Sequence, residues 1–96
     1  MTDVIWGRFC LYRELGISVN PLLGSLQSTV YYDTVSNRFF RVDILHQRST
    51  DFAFQSSVSL SDQYGNRETK DSILTKDEHT REEMLSLVAE LYPRKS

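Results

Sequence analysis

Thr29-Val30-Tyr31-Tyr32-Asp33-Thr34-Val35-Ser36-Asn37-Arg38-Phe39-Phe40-Arg41-Val42-Asp43-Ile44-Leu45-His46 is the stretch whose reading decides the fold. Residues 29–34 are β-branched and aromatic, the composition of a strand. Residues 38–46 alternate by side, with Phe40, Val42, Ile44 and His46 on one face and Phe39, Arg41, Asp43 and Leu45 on the other. Val35-Ser36-Asn37 lies between them, and Asn37 tolerates the left-handed backbone that a short hairpin loop demands. Strands joined by so short a loop run antiparallel.

Working toward the C-terminus, residues 47–51 are a polar loop and residues 52–61 alternate again. Phe52, Phe54, Ser56, Val58 and Leu60 oppose Ala53, Gln55, Ser57, Ser59 and Ser61, as in a strand with one wet side. Asp62-Gln63-Tyr64-Gly65-Asn66 is a turn, and residues 67–74 are expected to return as a last, charged strand whose charges guard a sheet edge. Thr80-Arg81-Glu82-Glu83 is a capping box opening a helix. Met84, Leu85, Val88, Leu91 and Tyr92 make its apolar stripe, with Leu87 beside it, and Pro93 stops it.

Toward the N-terminus, residues 4–14 read as a strand, with Ile5, Phe9 and Leu11 on one side and Val4, Trp6, Cys10 and Tyr12 on the other. Residues 15–28 suggest a short helical turn or an ordered cap, because Asn20-Pro21 resembles a helix start and Leu22, Leu23 and Leu26 follow at helical spacing. The expected fold is therefore α+β: an antiparallel β-meander of four or five strands with one C-terminal α-helix packed on a face. Residues 1–96 are read as a single compact domain, the size at which one core is the rule. The helix stripe alone leaves open whether it covers its own sheet or a neighbour's.

Eleven basic against thirteen acidic residues leave a net charge of -2, without the basic excess that marks most nucleic-acid-binding domains. One cysteine rules out an intrachain disulfide. The first residues carry no positive segment followed by an apolar one, and no apolar run reaches the ~20 residues of a membrane helix. A cytoplasmic protein with no membrane association is expected.

Chemistry is sparse. Cys10 sits between Phe9 and Leu11 and reads as a small packed hydrophobe. His46 and His79 lack metal-ligand spacing, and Asp77-Glu78 ahead of the helix suits its dipole. The four glycines are scattered, so no phosphate loop is present, and residues 62–68 lack the ligand spacing of a calcium loop. No catalytic residue, metal or cofactor is expected. The residues fit a non-enzymatic protein-protein interaction module, of the inhibitor, immunity, assembly-factor or adaptor kind, that also forms a homo-oligomer. Its contact surface would be an exposed aromatic sheet face carrying Trp6, Tyr12, Tyr31, Phe39 and Arg41, because aromatics and Arg are enriched at such sites. Two alternatives use the same elements. One is an RNA or single-stranded nucleic-acid module working through the 29–46 hairpin with Arg38, Arg41 and Arg48. The other is a small-molecule carrier acting as a dimer.

Overall fold

The computed structural model describes residues 2–22, 24–47 and 54–93. Seven elements follow in chain order: α1 Thr2–Arg8, β1 Phe9–Asn20, β2 Gly24–Asp33, β3 Arg38–Gln47, β4 Phe54–Ser61, β5 Leu74–Asp77 and α2 Arg81–Leu91. The strands form one antiparallel sheet in sequence order, with β1 and β5 at its edges. α2 lies against β4 and α1 on one face, so the fold is α+β and the helix covers its own sheet.

The 29–46 hairpin forms as its alternation predicts. Tyr31 pairs with Phe40 and Thr29 with Val42, and Asn37 takes φ 57° in the turn. Asp33 closes that turn: its carboxylate accepts from the Val35 amide at 2.9 Å and the Ser36 hydroxyl at 2.6 Å. Phe40, Val42, Ile44 and Val58 meet Met84, Leu85 and Val88 of α2 in the core, with Ile5, Phe9 and Tyr31 completing it. The capping box is present, since Thr80 accepts from the Glu83 amide and Glu83 accepts from that of Thr80. The Thr80 amide bonded to it does most to hold the Glu83 carboxyl below its ordinary pKa. Tyr92 extends the stripe by packing its ring 5.5 Å from Phe40, whereas Leu91 is exposed.

Four expectations are corrected. Residues 2–8 are helix, and the strand begins only at Phe9. Ile5 and Phe9 are both buried, and a spacing of four satisfies a helix face and a strand face equally. The described residues of 15–28 hold neither a helical turn nor a cap. β1 runs on to Asn20, and the Asn20 side chain accepts from the Leu22 amide at 2.9 Å. That bond two residues on is what an asparagine offers a helix start, and here it shapes the turn from β1 into β2. Gly24 then opens β2 at φ 123°.

The last strand is shorter and later than expected. Arg67 makes an isolated bridge to Ser61, the Glu68 and Ile73 amides bond to Leu60 and Val58, and the chain loops out between them before β5. Nor is the polar face of β4 wet along its length, for Ser59 and Ser61 are buried while Gln55 and Ser57 are half-buried. The turn at 62–66 folds back over that face, braced by Asp62. Its carboxylate accepts from the amides of Tyr64 and Asn66, and the Asn66 bonds do most to hold its pKa below the ordinary value. Phe52 and Ala53 lie outside the described residues.

Candidate interaction surface

β1 has twelve residues and is held to the core at one end only. Its root is Arg8. Both arms of the guanidinium grip the Asp33 carboxylate, at 2.7 and 2.8 Å, and the same group bonds the Ala89 and Tyr92 carbonyls at the end of α2. Burial works to raise the Asp33 pKa, but the bonds from Arg8, Ser36 and the Val35 amide outweigh it and hold the carboxyl below its usual range. One buried ion pair thus joins α1, β2 and α2 where β1 begins.

Along its middle β1 is bulged twice, between Leu11 and Arg13 and between Glu14 and Gly16, where Gly16 adopts φ 95°. The bulged segment rests on the 62–66 turn. Tyr12 and Arg13 bond Gln63, Arg13 lies over the Tyr64 ring, and Leu15 occupies the space beside Gly65. Beneath the turn is a buried polar network. Asp43 accepts from Arg41 at 2.9 Å, from Arg67 at 3.2 Å and from the Ser28 hydroxyl, and Arg41 also bonds the Gly65 carbonyl.

Beyond the second bulge the support ends. Ile17 and Val19 pair with Gln27 and Ser25 and so face the same side as Phe40 and Ile44, yet they are 66% and 75% exposed. Leu22 at the hairpin tip is 87% exposed. From Leu15 to Leu22 the sequence carries no charge. The outer edge of β1 pairs with no strand among the described residues, and Ile17, Val19 and Leu22 are presented together along it.

The five residues expected at the contact surface divide between the two faces. Trp6 and Tyr31 lie together on the α2 face with ring centroids 5.9 Å apart; Trp6 is half-exposed and Tyr31 is 3% exposed. Burial raises the Tyr31 pKa against the opposing effect of Arg81. Tyr12 and Phe39 meet on the opposite face at 4.8 Å, with Tyr32 beside Phe39, and Arg41 is engaged by Asp43 and Gly65. Arg38 lies over the Tyr92 ring, and Arg48 is outside the described residues.

Cys10, expected to be packed, is exposed, because the strand it occupies is an edge rather than a covered interior strand. His79 Nδ1 lies 2.8 Å from the Asp77 carbonyl, and the His46 ring is 5.7 Å from that of Phe54. Among the described residues no helix is long and apolar enough to cross a membrane. An open groove of about 860 Å³ runs between the 34–37 turn and the end of α2, lined by Asn37, Arg38, Leu91 and Tyr92. The sequence signal that would have extended β1 to Asn20 is the alternation of Ile17 and Val19 with Gly16 and Ser18, although it does not say that the strand lies at an edge.

No family model, no curated protein and no solved structure matches the chain.

Proposed function

We propose that this chain is a non-enzymatic interaction module that binds another protein by strand addition to the outer edge of β1. The observation that carries this reading is the uncharged, exposed run from Leu15 to Leu22 at a sheet edge. A strand that docks there gains main-chain hydrogen bonds along the edge and apolar contact with Ile17 and Val19 on alternate positions. Trp6, Tyr12 and Phe39 lie toward the other end of β1, where Tyr31 pairs with Leu11 and Tyr32 pairs with both Cys10 and Phe39, so they stand apart from this run; Tyr31 supports Trp6 from below. Recognition by backbone pairing needs no cofactor and no charged partner.

The test is affinity capture by the tagged chain, with nuclease present and at low and high salt, comparing wild type with Val19→Lys. A protein partner that withstands nuclease and salt and is lost from Val19→Lys is the expected result. Recovery of nucleic acid that falls steeply with salt would overturn the reading in favour of phosphate contacts. Capture indifferent to Val19→Lys would also overturn it.

A further inference from the structure

We propose that the strand received by the β1 edge is the β1 edge of a second copy of this chain, paired antiparallel about a twofold axis through Ser18. This rests on the reading of β1 as an interaction edge and names its occupant.

A twofold interface brings one patch against itself, so the patch must be self-complementary. Gly16-Ile17-Ser18-Val19-Asn20 reads alike in both directions by residue class, with small or polar residues at 16, 18 and 20 and β-branched residues at 17 and 19. Pairing about Ser18 sets Ile17 against Val19 of the other copy, and Gly16 against Asn20. Ile17 and Val19 lie on one face of β1, so each dimer seam carries two β-branched cross-strand pairs on that face. Moving the axis by half a residue would set Ile17 against Ser18 and lose both pairs.

Charge permits the same register. The nearest charged residue, Glu14, stands four positions from the axis. The two copies of Glu14 would then be about 27 Å apart at ~3.4 Å per residue, well beyond the ~8 Å screening length at physiological salt. An acidic or basic peptide finds no charge between Leu15 and Leu22 to select it, whereas a second neutral edge meets nothing unfavourable. The second bulge ends at Gly16 and the turn starts at Pro21, which confines regular pairing to residues 16–20. So short a seam makes a reversible dimer rather than an obligate one.

Sedimentation velocity of the full chain from roughly 1 µM to 1 mM reads the association directly. The expected result is a passage from one chain to two in wild type, and a single chain throughout for Val19→Lys with unchanged circular dichroism. Cross-linking fixes the register. In a Cys10→Ser background, Ser18→Cys with oxidised glutathione should give covalent dimer, because opposed residues have Cα atoms about 4.5–5.5 Å apart, within disulfide reach. Val19→Cys alone should not, and its mixture with Ile17→Cys should.

Wild type that stays a single chain over the whole range overturns the proposal, as does a dimer unaffected by Val19→Lys or cross-linked without preference for Ser18→Cys. A single chain that still captures a protein in a Val19-dependent way overturns self-pairing and leaves the interaction edge standing. A single chain with no such capture overturns both.

Discussion

β1 and β5 are both edge strands of the same sheet, and they meet solvent in different ways. β5 has four residues, Leu74-Thr75-Lys76-Asp77, two of them charged, and ends at once in the turn to α2. Short length and charge are the usual means of discouraging a foreign strand. β1 has twelve residues, bulged and roofed along its middle, but uncharged along its last five, where Ile17 and Val19 are exposed. Under the function proposed above, exposure at residues 16–20 of β1 is the feature a docking strand would use, whereas β5 carries the charges that discourage one.

That contrast can be broken at the root of β1, at its middle and at the far edge, with successively smaller effects on stability. Arg8→Ala removes the cation from the buried Asp33 carboxylate, which keeps only its bonds from Val35 and Ser36, and takes the same donor from the Ala89 and Tyr92 carbonyls. Loss of about 3–5 kcal/mol is expected, read by chemical denaturation. The same pair sets an acid limb. Asp33 has a folded pKa below its unfolded value, so its contribution is complete above the ordinary carboxylate range and is lost as pH falls through the lower folded pKa. Wild-type stability should therefore drop on acidification below about pH 4, and that step should shrink in Arg8→Ala. An unchanged step would remove Asp33 from the explanation.

At the middle of β1, Gly65 holds φ 89° in the turn that roofs the bulges, and a Cβ there would come 2.6 Å from Leu15 Cδ1. Gly65→Ala should cost about 1–3 kcal/mol and raise the exchange rate of β1 amides more than those of β5. At the far edge, Lys76→Val removes one guard from β5. Stability should move by no more than about 0.5 kcal/mol, and sedimentation should show no new association, because Asp77 still charges that short edge.

Much of this architecture was legible in the residues, and what was not has definite causes. The 29–46 hairpin and the capped C-terminal helix are specified by local patterns, period two in one and a reciprocal cap with an apolar stripe in the other, and both formed as read save that Leu91 of the stripe is exposed. The N-terminal third misled because its signals are degenerate. Ile5 and Phe9 fit both periods, and the Asn20 side chain offers the same bond to a turn as to a helix. The burial of Ser59 and Ser61 depends on the 62–66 turn folding back, a tertiary event that alternation cannot report. For the candidate surface, the aromatic residues were visible in sequence, but their division between two faces was not. The edge itself became apparent only once strand order placed β1 at the margin.

The most direct measurement is residue-resolved amide hydrogen exchange of the wild-type chain, dilute and concentrated. Protection gained with concentration at residues 16–20, with 74–77 unchanged, is the expected result. Protection gained at 74–77, or at neither edge, would contradict the assignment of β1 as the edge through which this protein associates.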